Sequence, residues 1–323
     1  MTSPKDIARW AFWVPFRSAL DPQRPDQLRR LYPLWRAQHA LAKGQRARIE
    51  QELVLRFGDA RPDRIQDCYR IAFRVHAEEL LLGKLSAETV GNYMQFQGRE
   101  HLDDALAHGK GAIICQPHAG NVMMMIALLS LHGYDYTQYA ARGLAPTDVA
   151  QAHPDTFGHN RWREQARAAR EANEDKLPAR FLTLDTSARE LYRRLGDNGL
   201  VGITYDGRIG SKFVGVDYLG SRALLNPGAF RLAARTGATL LPVFNACPAD
   251  GVNRCVVQPG LRGTDWRELM VRFLRDHAEP WLRENPAHYG VWLAHCRERA
   301  GVDDHPLFVD YAPDDRYTRW PDL

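Results

Sequence analysis

Apolar positions along this chain fall into two rhythms. From Asp26 to Leu85 they recur at helical spacing, with Arg46, Ile49, Leu53 and Leu55 in one amphipathic stretch. Ile71, Phe73, Val75 and Leu80 to Leu82 continue the pattern after the break at Gly58 to Pro62. The first strong strand signal is Gly111 to Cys115, entered from the turn His108-Gly109-Lys110. A helix rich in Met and Leu follows, Asn121 to Leu131, stopped by Gly133. A long polar region, Gly143 to Lys176, has helical composition in its second half. The helix Ser187 to Leu195 then feeds a second buried strand, Gly199 to Tyr205. After the loop Asp206 to Ser211 the pattern predicts a strand at Phe213 to Tyr218 and a helix at Gly228 to Thr236. Strands at Thr239 to Phe244 and Arg254 to Val257 and a helix at Trp266 to Glu284 complete it. Strands alternating with helices predict an α/β fold: a mostly parallel sheet flanked by helices, preceded by a helical segment. The expected layout is residues 1–95 as that N-terminal segment, within the same domain, 96–300 as the α/β core and 301–323 as a tail that wraps the body or a neighbouring subunit.

Composition narrows the classes. The 323 residues are 45% hydrophobic and 25% charged, and the net charge is +4. That mild excess suits contact with anionic lipid or an acidic carrier and falls short of the basic stripe of a nucleic-acid binder. Five cysteines at wide, odd spacing predict reduced thiols. No charged start followed by an apolar run marks a signal peptide, and the longest apolar stretch, Val122 to Leu131, is half of a bilayer span. The aromatic run between Ile7 and Arg17, with Trp10, Trp13 and Phe16, has two readings: an anchor at a membrane surface, or side chains capping the core at helical spacing.

Candidate chemistry gathers where strands end, because ligands of α/β sheets collect there. His118 follows the first strand and precedes a helix, a place that favours a neutral imidazole able to take a proton. Gly120 lets a substrate approach the backbone, and the N–H groups near Gly120 and Asn121 are placed to hold an oxyanion. Asp206 has the matching place after the second strand. In its loop Arg208 and Lys212, beside Gly207 and Gly210, suit an acidic group, the plainer reading being an ordinary polar turn. Arg142 and Met123 complete the candidate substrate-binding positions. No P-loop, G-x-G-x-x-G or G-x-S-x-G pattern supports nucleotide-dependent chemistry or serine hydrolysis. His153 and His159 lack metal-like spacing, and His288 and His295 read as packed or capping residues, so neither a metal nor another cofactor is expected.

Four segments, in order, resemble the lysophospholipid acyltransferase superfamily and, within it, the late acyltransferases of lipid A biosynthesis. The resemblance runs from about Arg30 to Arg299. Gly98-Arg-Glu100 with Gly109-Lys-Gly111 resembles the approach to the active-site strand, and His118-Ala-Gly120-Asn121 matches the core of the H-x-G-N-W-E motif. Tyr205-Asp206 through Phe213-Val214 and Gly220 resembles the acidic loop and its strand. Pro227 to Ala238 with Leu241-Pro242-Val243, then Trp281 to Arg297 with Tyr289, Trp292 and His295, resemble the last two. The resemblance implies a glycerol-phosphate acyltransferase-like fold on the cytoplasmic face of the bacterial inner membrane. It implies transfer of a fatty acyl group from acyl carrier protein or acyl-CoA to a hydroxyl or amine of a lipid or small-molecule acceptor, with His118 as general base.

One departure is decisive. The carboxylate that orients the family's histidine stands five residues on, and here that residue is Met123. Three readings stay open: an acid from elsewhere reaches His118, with Asp206, Glu78 and Glu79 the candidates; the acceptor is an amine needing less base; or catalysis is lost and the protein is an acyl- or lipid-binding partner.

Overall fold

The computed structural model describes residues 4–140, 160–183, 187–208, 212–249, 251–300, 305–311 and 321–323. Its strands are β1 (Met94–Gln97), β2 (Ala112–Gln116), β3 (Tyr136–Tyr139), β4 (Arg180–Leu182), β5 (Leu200–Thr204), β6 (Val214–Tyr218), β7 (Ser221–Leu225), β8 (Thr239–Ala246) and β9 (Asn253–Val257). Seven of them form one sheet in the order β1-β9-β8-β2-β5-β3-β4. Every pairing in it is parallel except β8 with β9. The mixed α/β fold with a mostly parallel sheet is therefore present as expected.

β2 lies at the middle and is buried at every position. Its side chains leave in turn to two apolar layers. Ile113 and Cys115 join the layer of Phe230, Leu269 and Phe273. Ala112 and Ile114 join that of Met124, Leu128, Leu80 and Tyr93. Helices cover both faces, so the strand reads as a continuous apolar run rather than an alternating one. Leu28 and Leu80, from the N-terminal segment, are built into the same layer as the sheet.

Several elements depart from the sequence pattern for identifiable reasons. The 26–85 region is broken into Pro25–Arg29, Trp35–Leu41, Lys43–Phe57 and Pro62–Glu79. Pro25 and Pro62 start helices, where a missing N–H costs nothing, and Gly58 at φ 73° closes one. The expected helix Trp266 to Glu284 is present, and its first stretch is α-helical to Phe273. A π-helical turn, Leu274–Ala278, then leads into Glu279–Glu284. Pro280 cannot donate to the preceding turn, and the chain widens just before it. β1, β3 and β4 carry no apolar run, and β7 was hidden behind a tight turn. That turn joins β6 to β7 through Leu219 and Gly220, both at positive φ, which is the primed geometry two-residue hairpins prefer.

The aromatic run at the N-terminus turns inward. Trp13 is buried, Trp10 meets Trp162 edge-on at 4.9 Å, and the Arg170 guanidinium lies over Trp13. Nearby, buried Asp6 accepts from Arg163 at 2.6 Å and Asn160 at 2.9 Å. Of the two readings of this segment, the geometry matches packing against the helix Arg161–Glu174. All five cysteines are buried free thiols.

Residues 305–311 of the tail pack on the body. Leu307 and Phe308 are buried, and Asp310 receives Arg56 at 2.7 Å. Arg56 and Glu52 are themselves buried and bonded to each other. Glu52 also accepts from Arg297 and, at 2.6 Å, from the Tyr311 hydroxyl. One carboxylate thus ties the helix Lys43–Phe57 to the helix Gly290–Glu298 and to the tail. Removing one member of a buried ion cluster strands the others in low dielectric. Glu52→Ala is expected to lower unfolding stability by about 3 kcal/mol, read from urea denaturation at neutral pH. Glu52→Gln, which keeps the acceptor oxygen, should lose less.

Candidate active site

The geometry begins with a strand register. β2 and β5 run parallel with Gln116 opposite Thr204, and the Tyr205 N–H donates to the Gln116 carbonyl at 3.2 Å. Two residues beyond each partner come His118 and Asp206, so the paired strands deliver them side by side at the same end of the sheet.

His118 Nδ1 lies 2.7 Å from Asp206 Oδ1, and the His118 backbone N–H donates to Asp206 Oδ2 at 3.0 Å. The Tyr289 hydroxyl donates to that same Oδ2 at 2.8 Å. An ionised carboxylate only accepts, so the proton of the neutral ring sits on Nδ1 and the lone pair on Nε2. The Asp206 side chain is 0% exposed and that of His118 is 34% exposed. Burial alone pushes the Asp206 carboxyl up. The His118 ring, its backbone N–H and the Tyr289 hydroxyl more than offset this and hold the carboxyl below its usual range. Burial, then the Asp206 charge, pushes the Tyr289 phenol well above its usual value, so it remains a donor. Such a pair can act as a general base at Nε2, with the carboxylate holding the ring.

A second feature sits on the ring face. The Trp292 indole stacks on the His118 imidazole with centroids 3.9 Å apart and planes 16° apart. Tyr289 and Trp292 lie at the start of the helix Gly290–Glu298, which Arg297 fastens to Glu52. Both residues had appeared only inside the family-like closing segment, with no role attached. Their three-residue spacing, which puts them on one side of a helical turn, was the available signal.

The turn from β2 into the helix Val122–Leu131 is held on both sides. Gly120 has φ 68°, and a Cβ there would meet the Asn245 carbonyl oxygen at 1.9 Å. The turn backbone is pressed against the end of β8, which only glycine permits. Asn121 caps the helix by accepting from the Met124 N–H at 3.0 Å, and its amide donates to Glu78 Oε2 at 2.8 Å. Glu78 is fully buried and also accepts from Arg74, Tyr32 and Asn253.

These contacts sort the sequence candidates. Asp206 is the acid that reaches His118. Glu78 is occupied by the Asn121 network, and Glu79 faces His76 and Arg170 at 3.7 Å each. Asn121, expected to meet substrate, has its side chain fully buried and committed to the cap and to Glu78. Arg208, expected to meet an acidic group, instead donates to the carbonyls of Asp206, Leu224, His305 and Pro306, at 3.2, 2.8, 3.3 and 2.8 Å. Those carbonyls fix the loop that carries Asp206. Lys212 is exposed at the entry to β6. Met123 is half-buried in the first helical turn, against the apolar layer beneath. Arg142, His153, His159 and Gly210 lie outside the described residues. His288 is packed, as expected: it accepts the Cys247 N–H at 2.8 Å, and burial pushes its pKa down to about 4. Among the described residues no cluster of His, Cys, Asp and Glu has metal-binding geometry.

Comparison with known proteins finds a family model and two relatives. The family model of the bacterial lipid A biosynthesis acyltransferases matches residues 34–296. Phosphatidylinositol mannoside acyltransferases from two strains of Mycobacterium tuberculosis are each 33% identical to the chain over 150 residues, 45% of this chain and 42% of theirs. The match thus spans less than half the length of those relatives.

The Tyr289 bond to Asp206 has a measurable consequence. A carboxyl whose folded pKa is depressed contributes stability above its unfolded value, and that stability is lost as pH falls through the folded value. Tyr289→Phe removes one donor to the charged form, so the folded value rises toward the ordinary range. The variant is expected to lose about 2 kcal/mol at pH 7 and to begin acid unfolding at higher pH than wild type. Urea melts at pH 7 and a circular-dichroism acid titration check both.

Proposed function

We propose a reaction from one premise: the chain belongs to the bacterial lipid A biosynthesis acyltransferase family. The reaction is transfer of a fatty acyl group from an acyl thioester, carried on acyl carrier protein or CoA, to a hydroxyl of a lipid acceptor. His118 Nε2 takes the proton of the acceptor hydroxyl as its oxygen attacks the thioester carbonyl. The carbonyl oxygen becomes an oxyanion against the backbone at Gly120 and the first amides of the helix Val122–Leu131. The first N–H groups of a helix have no intrahelical partner, and its positive end favours an anion. The tetrahedral adduct collapses, the C–S bond breaks, and the thiolate leaves with the proton held on His118. Asp206 keeps Nδ1 protonated and favours the imidazolium.

The observation that carries this reading is the 2.7 Å contact between His118 and a fully buried Asp206. A carboxylate in reach of the ring supports an enzyme over a protein that only binds acyl chains, because Met123 no longer leaves the base without a partner. An amine acceptor needing less base loses its main motive for the same reason. The mannoside lipid in the relatives' name supports a sugar hydroxyl on a glycolipid as the acceptor.

The exposed side chains support a place at a membrane surface. No helix among the described residues is long and apolar enough to cross a bilayer. Between Leu28 and Ile49 the chain has six basic residues and no acidic one. Arg29, Arg30, Arg36 and Lys43 are exposed there, alongside Leu34 and Leu41, the latter 84% exposed. Basic side chains around protruding leucines suit an anionic bilayer, and this segment replaces the inward-facing aromatic run as the proposed contact with the cytoplasmic face of the inner membrane.

Transfer of labelled acyl chains from acyl carrier protein or CoA to glycolipid acceptors tests the chemistry. His118→Ala should fall to background and Asp206→Asn by about 10³- to 10⁴-fold. Met123→Glu should bring no gain, since Nδ1 already has its acid. Full activity in His118→Ala removes the base from the mechanism. Vesicle sedimentation tests the surface. Binding should need anionic lipid, weaken with salt, and drop at least about fivefold in Leu34→Ser/Leu41→Ser; binding indifferent to lipid charge and to both substitutions rejects the proposed face.

A further inference from the structure

Asp206 holds His118 by one edge. A bond at Nδ1 fixes one ring atom but leaves the imidazole free to swing about that contact, and the direction of the Nε2 lone pair swings with it. The Trp292 indole removes this freedom, because parallel rings at 3.9 Å admit one plane. The same contact has an electrostatic side. An indole face is negative, and a cation lying on it is attracted by about 0.5–2 kcal/mol. Once Nε2 takes a proton the imidazole is such a cation, with Asp206 in its plane and Trp292 on its face.

Among the described residues, the neighbouring groups leave this contact as the main influence on the ring besides Asp206. Tyr289 acts on the far oxygen of Asp206. His295, one turn along, has its ring 5.5 Å from Trp292. The helix Val122–Leu131 carries no titratable side chain. Glu78, at the end of Pro62–Glu79, is committed to Arg74, Tyr32, Asn121 and Asn253. Arg208 is committed to carbonyls.

We propose that Trp292 is a positioning residue for His118: its ring sets the plane of the imidazole, and its π face stabilises the imidazolium formed when Nε2 takes the acceptor's proton. This rests on the acyl-transfer reaction above, and its test keeps the two separable. Trp292→Phe retains an aromatic face; Trp292→Leu fills space without one. Trp292→Phe should keep kcat within about threefold. Trp292→Leu should lower kcat about tenfold, with KM changed less than about twofold. Its acidic limb should also move to lower pH, because a less stabilised imidazolium gives up its proton at lower pH.

A second readout needs no turnover. The fluorescence that Trp292→Phe removes from wild type should be quenched on acidification, as the imidazolium forms against the indole, and this quenching should vanish in His118→Gln. Equal kcat and equal limb position in the Leu and Phe variants overturn the proposal, as does fluorescence indifferent to His118. If Trp292→Leu fails to fold, the fluorescence comparison still decides. A wild-type protein that shows the quenching but transfers no acyl chain refutes the reaction and supports the stack.

Discussion

The buried carboxylate of Asp206 is the constraint on which the rest of the site depends. Burying such a charge at the end of the sheet is costly, and the fold offsets the cost with donors from three places: the His118 ring, the His118 backbone and the Tyr289 hydroxyl. Each donor belongs to a different part of the chain's function. The ring nitrogen sets the tautomer, the backbone N–H ties the turn after β2 to the end of β5, and the phenol brings in the helix Gly290–Glu298. One oxygen pair therefore assembles His118, its loop and its cover together.

A second buried carboxylate, Glu78, does corresponding work on the other side of the turn. Through Asn121 it holds the N-terminus of the helix Val122–Leu131, and through Arg74 and Tyr32 it joins the N-terminal segment to the sheet. Glu52 forms a third such node, fastening the helix that carries Trp292. The turn with His118 is thus braced from below, beside and behind, while about a third of its side chain stays open to solvent. Rigidity around an open ring suits the proposed role of His118 as a base, because its lone pair would have to point one way when an acceptor arrives.

Most of the fold was legible because buried strands and amphipathic helices leave strong periodic patterns. β2, β5 and β8 are near-continuous apolar runs, and the helix Gly228–Thr236 was bounded by Gly228 and Gly237. The elements that escaped were short or polar. Met94–Gln97 and Tyr136–Tyr139 pair in the sheet with little apolar signal of their own, and their strand character comes from neighbouring backbones. The helix expected from Trp266 to Glu284 keeps both its ends and takes in one π-helical turn, Leu274–Ala278, just before Pro280.

For the site, the sequence by itself determined that a histidine and an aspartate follow successive buried strands; it read Gly120 as room for a substrate, where the structure puts the Asn245 carbonyl. It could not determine that β2 and β5 are neighbours in register, and only that register sets Asp206 rather than Glu78 or Glu79 beside the ring. Nor could it separate charged residues that meet ligands from those that hold the fold. Arg208 and Asn121 carry the right chemistry for substrate, but buried carbonyls and a buried carboxylate claimed them first. Tyr289 and Trp292 lie more than 80 residues beyond Asp206, and no local pattern links them to it. Hydrogen bonds and ring contacts depend on distance in space, and only tertiary packing sets that distance.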